Sequence, residues 1–124
     1  GVVHCFSGTE SEMEKYLDMG YCIGITGILT ISQRGEKLRR MATHIPEDRL
    51  LVETDAPYLT PAPEKNSTRR NEPAFVKSVL LKLAEVRNTD PQRLARVTWE
   101  NTCRLFNIDP RHAGCFTNSN GASE

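Results

Sequence analysis

LLVETDAPYL, Leu50 to Leu59, is the stretch that decides the fold. Its first three residues are branched and apolar, the signature of a short strand buried on both faces. Glu53 and Asp55 follow at alternate positions, so an extended backbone turns both carboxylates to one side. Ala56-Pro57 then ends the strand, because proline has no N–H for a ladder and restricts the residue before it. Open α/β sheets and α/β barrels carry their chemistry at the C-terminal tips of buried parallel strands. Asp55 at such a tip is either a carboxylate that caps the next turn or a functional group.

Upstream, two further strands are predicted, GVVHCF at Gly1 to Phe6 with His4 near its end, and YCIGIT at Tyr21 to Thr26. Between them Thr9 and Glu12 form a capping-box signature. Met13, Tyr16, Leu17 and Met19 fall on one helical face, and Gly20 suits the position just past the helix end. Ile28 to Arg34 reads as a loop with a helical turn. Glu36 to His44 reads as a short amphipathic helix showing Leu38, Met41 and Ile45, closed by Pro46. A repeated strand-then-helix pattern with right-handed crossovers gives a parallel sheet. His4, Gly27 and Asp55 then share its C-terminal face.

Downstream, Ala56 to Asn71 is a long proline-broken loop carrying Lys65, Arg69 and Arg70, and loops this long in compact domains are often functional. Asn71 or Glu72 caps a helix with Pro73 in its first turn. Phe75, Val79, Leu83 and Val86 mark its apolar stripe, with Val76 and Leu80 beside it. Asp90-Pro91 opens a last helix by the same device, and Leu94, Val97, Leu105 and Phe106, with Trp99 alongside, are its expected buried face. Both helices read as cover for the sheet. Asp109 to Glu124 is polar, aperiodic and expected to be a loosely ordered tail.

With 124 residues the chain has the length of one domain. Its 16 basic and 16 acidic residues cancel, so polyanion binding has to come from a local patch. No apolar run approaches the ~20 residues that span a bilayer, and no signal peptide is visible. Cys5, Cys22, Cys103 and Cys115 form no CxxC pair; they read as reduced thiols of a cytoplasmic protein, and a zinc site built from them is not expected. Because the chain opens already inside a strand, it reads as a fragment or as having an engineered boundary.

Three groups are candidates for chemistry. His4 alone reads as a core histidine, but His4 together with Asp55 suits a divalent metal. Two protein ligands leave such a site incomplete, so it is either weak or finished by ligands outside this chain. Glu53, one pleat deeper, is read as a buried carboxylate that orients a ligand or pairs with an arginine. Arg69 and Arg70 are either a solvated loop or a phosphate clamp, since guanidinium groups bind phosphate oxygens bidentately. His44 and His112 receive no role.

HCFSGT, IGITG, LLVETDAPYL and RRNEPA, in this order and at these spacings, resemble the TatD-type DNase family of metal-dependent hydrolases, from Gly1 to about Ile108. ITG after the second strand and RRNEPA after the loop are similar to TatD proteins proper rather than distant paralogues. The resemblance implies an α/β fold, the C-terminal portion of a TIM (β/α)8 barrel with about three parallel strands and covering helices, over residues 1–108. It implies a centre for a divalent metal ion, Mg2+ with Mn2+ or Zn2+ as alternatives, that hydrolyses phosphodiester bonds of a DNA substrate from the 3′ end. His4 matches a metal-binding histidine, and Asp55 matches the final metal-binding aspartate and the catalytic group that takes the proton from water. Arg69 and Arg70 are candidates for nucleic-acid binding. The family's early HxH pair, mid-chain glutamate and further histidine are expected to precede Gly1, so the missing N-terminal half of the barrel, or another chain, is needed to complete the site. Two other readings stay open: a hydrolase of the same fold acting on a small amide or ester, and a truncated non-catalytic product. Half a barrel lacks the strands that bury its inner face, so marginal stability is expected.

Overall fold

A computed structural model of the protein describes residues 1–109 and 111, so the polar tail expected over 109–124 lies almost wholly outside the described residues. Three short parallel strands, β1 (Val2–Val3), β2 (Cys22–Ile25) and β3 (Leu50–Val52), form a sheet in the order β1-β2-β3. Val2 and Val3 pair with Cys22 and Ile23; Ile23, Gly24 and Ile25 pair with Leu50, Leu51 and Val52. All three strands therefore point their C-terminal ends the same way.

Each strand is shorter than its sequence suggests, for a local reason. After Val3 the chain turns at Cys5, which adopts a left-handed φ of 50°, and Phe6 rejoins through its N–H to the Gly24 carbonyl at 3.0 Å. A non-glycine residue in that region carries a steric cost and marks a site worth attention. At β3 the Glu53 N–H still reaches the Ile25 carbonyl at 2.9 Å, after which the chain leaves the ladder towards a cis Ala56–Pro57 bond.

The helices follow their capping signals. Helix α1 (Glu10–Asp18) opens on the Thr9–Glu12 capping box: Thr9 Oγ1 accepts from Glu12 N at 3.2 Å, and the Glu12 carboxylate accepts from Thr9 N at 2.9 Å. It ends at Gly20, whose φ of +88° is the left-handed conformation glycine adopts without penalty. Gly27–Thr30 forms a 3-10 turn, the helical turn expected between Ile28 and Arg34. Helix α2 spans Glu36–Ala42, and a four-residue α3 (Ala62–Lys65) interrupts the long loop that the sequence left irregular. Helix α4 (Val76–Val86) follows a 3-10 turn at Pro73–Phe75; α5 (Pro91–Phe106) is capped by Asp90, whose carboxylate accepts from Arg93 N at 2.9 Å. None of the described helices is long and apolar enough to cross a membrane.

Ile23, Ile25 and Leu50 from the sheet pack with Phe6, Met13, Leu29, Leu38, Ile45, Val79, Leu83 and Leu94 in one buried cluster. Each such side chain removed from water contributes about 1.5–3 kcal/mol before the entropy of ordering it is subtracted. The buried face of α5 differs from the apolar one expected. Leu94 is buried, but Phe106 is 61% exposed, and the other buried positions include Thr98 and Asn101. Their polar groups are satisfied locally: Thr98 Oγ1 donates to the Leu94 carbonyl at 2.9 Å, and Asn101 Nδ2 donates to the Glu47 and Leu50 carbonyls at 2.8 Å each. Asn101 thus ties α5 to the entrance of β3. Arg87 Nη1 similarly donates to the Ala42 and Ile45 carbonyls, both at 2.7 Å, joining α4 to the end of α2. Cys5 and Cys22 are free thiols.

Candidate metal centre

The centre is assembled where β1 and β3 end. His4 projects from the turn just after β1 into a gap closed on the other side by Glu53 and Asp55. Its Nε2 lies 2.9 Å from Asp55 Oδ1, and its Nδ1 contacts Glu53 Oε1. The imidazole is largely exposed, whereas the two carboxylates are about four-fifths covered. One donor atom from each of the three residues lies within 4.8 Å of the others, a spacing a single metal ion can bridge.

Glu53 reaches this position because β2 offers no obstacle. A Cβ placed on Gly24 would collide with the Glu53 carboxylate, so the absent side chain in the central strand is the channel through which Glu53 crosses from β3 towards β1. There Glu53 Oε1 also accepts from the Cys5 N–H at 2.8 Å, the amide that the left-handed turn at Cys5 exposes. Burial raises the Glu53 pKa, opposed chiefly by that amide and by His4, while the Asp55 charge pushes it up further. The Cys5 thiol, 3.5 Å from Thr26 Oγ1, is also raised, mainly by burial and with help from Asp55 and Glu53. Negative charge gathers at the mouth of the sheet.

The donor chemistry fits a cation. A neutral imidazole has one N–H and one lone pair, so it can donate to only one of the two carboxylates that flank it. With Nδ1–H given to Glu53, the Nε2 lone pair and Asp55 Oδ1 face each other at 2.9 Å, an arrangement that a shared cation, or a proton on Nε2, makes favourable. His4 Nε2 and Asp55 Oδ1 satisfy part of a divalent ion's coordination shell and leave the rest open.

The loop after Asp55 is fixed from below by Asn71, which is 4% exposed. Asn71 Nδ2 donates to Thr54 Oγ1 at 3.1 Å and to the Tyr58 carbonyl at 2.8 Å; its own N–H bonds the Pro57 carbonyl at 3.0 Å. Thr54 Oγ1 in turn accepts from Ala56 N at 3.1 Å. A Cβ on Gly27 would strike the Leu59 carbonyl, so this glycine lets the loop close onto the end of β2. Asn71 therefore acts as an internal brace rather than the helix cap its sequence context suggests.

His4, Glu53 and Asp55 come together. Arg69 and Arg70 are on the return arm of the same loop, immediately before Asn71, and both are exposed. Among the described residues, no hydrogen bond or ion pair joins either guanidinium to the three donors; the backbone of Arg69 accepts from Thr60 Oγ1 at 2.8 Å and that of Arg70 donates to Thr68 Oγ1 at 3.2 Å. Sequence reasoning missed Gly24, the Cys5 turn and Asn71. A glycine inside a strand pattern was the one signal for a close approach.

Residues 1–107 match the family described as TatD related DNase. The chain is 50% identical over 113 residues to a Rahnella sp. protein named 3′-5′ ssDNA/RNA exonuclease TatD, an overlap of 90% of this chain and 43% of the relative. A Citrobacter rodentium protein of the same name is 46% identical over 114 residues, again 90% of this chain and 43% of the relative. The chain thus spans less than half the length of the curated relatives it matches. Among solved structures, a TatD homologue of Escherichia coli superposes with a TM-score of 0.78 at 34% identity, covering 88% of this chain and 41% of that one. A TatD-family hydrolase of Entamoeba histolytica superposes at 0.73 with 28% identity, covering 85% and 41%. Three parallel strands with their helices are accordingly a portion of a TIM (β/α)8 barrel, the α/β fold class expected from the sequence. The family match across 1–107, on a fold shared with these hydrolases, means that the chain belongs to the TatD-related DNase family.

Proposed function

We propose that this chain supplies part of the divalent-metal centre of a nuclease that hydrolyses phosphodiester bonds of single-stranded nucleic acid, DNA foremost, from the 3′ end. The observation that carries the proposal is the convergence of His4 Nε2 and Asp55 Oδ1 at 2.9 Å, with Glu53 on the far side of the same imidazole. His4 and Asp55 would hold the ion, Mg2+ with Mn2+ or Zn2+ as alternatives. A bound divalent ion supplies Lewis-acid polarisation of the phosphate and lowers the pKa of water to the range of a usable nucleophile.

The chain's own residues do the rest. Glu53, held by the Cys5 amide, accepts the Nδ1 proton of His4, fixing the tautomer and aiming Nε2 outward. Asp55, the more exposed of the two carboxylates, would receive a proton from water. Arg69 and Arg70 would steady the phosphate backbone, contacts that position a strand without reading its sequence. Residues 1–108 form the barrel portion. The remaining donors would come from the rest of the barrel or from another chain, in keeping with a chain that spans 43% of its relatives.

Titration of the chain with Mn2+ by calorimetry, paired with release of nucleotides from a 5′-labelled single strand in the presence of the complementary barrel portion, tests the proposal. Metal binding and stepwise 3′ shortening that both vanish with Asp55→Ala support it. Unchanged metal binding in Asp55→Ala and His4→Ala would sink it.

A further inference from the structure

We propose that Tyr58 is a stacking platform for a base of the single strand held at the His4–Asp55 centre, an inference that rests on the nuclease reading. Tyr58 is 74% exposed, more than any other large hydrophobic side chain among the described residues. Isolated exposed apolar residues are ordinary on protein surfaces, so exposure by itself decides nothing. Placement and rigidity do. Met19 and Tyr21 lie between α1 and β2, Leu81 on α4, and Phe106 and Ile108 at the end of α5. Tyr58 alone among these follows a strand's C-terminal end, three residues beyond Asp55.

Its backbone is clamped on both sides. The Tyr58 N–H donates to the Asp55 carbonyl at 2.8 Å, and the Tyr58 carbonyl accepts from buried Asn71 Nδ2 at 2.8 Å. The next residue, Leu59, takes a left-handed φ of 55° and turns its side chain onto the core. An internal polar brace and a left-handed residue therefore fix the backbone that presents a ring lying mostly in water. Arg69 and Arg70 return on the same loop directly before Asn71, both exposed. An exposed aromatic with a clamped backbone, on a loop that also carries two exposed arginines, is a combination that binds single strands without sequence preference, bases stacking on the ring and phosphates meeting the guanidinium groups. Bases of a duplex are already stacked on their neighbours, so the same ring would favour an unpaired end.

The test is anisotropy of a fluorescein-labelled oligothymidylate with the full chain, in chelator so that no strand is consumed. A parallel titration uses an abasic oligonucleotide of the same length, which keeps the phosphates and lacks the bases. Tyr58→Ala should weaken oligothymidylate binding about 5- to 150-fold, with Tyr58→Phe within about threefold of the parent and the abasic strand indifferent to either change. Equal binding of oligothymidylate by the parent and Tyr58→Ala overturns the inference and leaves the nuclease reading standing. A Tyr58→Ala chain that loses thermal stability, with Tyr58→Phe restoring it, also overturns it, because the ring would then be packing on protein. No binding of either oligonucleotide by the parent overturns it too, and hydrolysis with Mn2+ then decides the nuclease reading separately.

Discussion

His4 Nε2 stands 2.9 Å from Asp55 Oδ1 although the two residues leave opposite outer strands of the sheet, β1 and β3, with β2 between them. Side chains from outer strands meet across a central one only if the central strand gives way. At this level β2 carries Gly24, and Glu53 occupies the space that a Cβ there would take.

Gly24→Ala is therefore expected to keep the fold while disturbing the centre. The methyl group would meet the far end of the Glu53 side chain, which can swing aside, and the Val3 carbonyl at 3.3 Å, which has to give slightly. Displacing Glu53 breaks its bond from the Cys5 amide and frees the His4 ring. Loss of a carboxylate that orients a ligating histidine costs about 10- to 100-fold in metal affinity. Mn2+ calorimetry on Gly24→Ala should show that loss beside a near-parental circular dichroism spectrum; undiminished affinity would mean that Glu53 does not orient His4.

Direct replacement of the three donors should separate their roles. Asp55→Ala and His4→Ala each remove an atom proposed to touch the ion, and binding at millimolar Mn2+ should disappear. Glu53→Gln keeps the side-chain size and can still accept through its amide oxygen. It should retain weakened binding, about 10-fold or more below the parent. If Glu53→Gln abolishes binding as completely as Asp55→Ala, Glu53 belongs in the coordination shell.

Apart from α3, the order of strands and helices was legible because apolar runs and caps are local signals: LLV, the Thr9–Glu12 box and Asp90-Pro91 each act within a few residues. His4 and Asp55 were legible because parallel topology sends strand ends to one face. What connects them was not. The role of Gly24 depends on a residue of the neighbouring strand, and the inward turn of Asn71 depends on the carbonyls of Tyr58 and Leu59 coming within reach. Phe106 failed for the same reason: helical periodicity names a face, while Asn101 and its two carbonyl partners determine which face of α5 meets β3.

The capping box makes stability depend on pH in a definite direction. Hydrogen bonds from Thr9 hold the Glu12 carboxyl below its ordinary value of 4.5 in the folded chain. A carboxylate depressed on folding contributes stability that is fully present above its unfolded pKa and is lost as pH falls through its folded one. The thermal midpoint of Glu12→Gln should thus lie below that of the parent at neutral pH, and the gap should close on acidification below about pH 4.5. A gap independent of pH would show that the ionised carboxylate contributes nothing at this helix end.

Asn71 offers the sharpest test of how the loop is held. Its Nδ2 bridges Thr54 Oγ1 and the Tyr58 carbonyl, whereas its Oδ1 is buried with no hydrogen-bond partner among the described residues. Asn71→Ala removes the donor and leaves a part-buried carbonyl short of a partner, which costs about 1–3 kcal/mol. Asn71→Asp keeps the shape but sets an acceptor against the Tyr58 carbonyl, and burial adds the cost of a charge, so it should destabilise more than Asn71→Ala. Urea unfolding ranks the two, and hydrogen exchange locates the effect. The amides of Ala56 and Tyr58, bonded to Thr54 Oγ1 and the Asp55 carbonyl, should exchange faster in both variants. The Ile23 and Ile25 amides in the sheet should slow or quicken only with global stability. Equal stability of Asn71→Ala and the parent would mean that Pro57, Leu59 and Gly27 hold the loop without the brace.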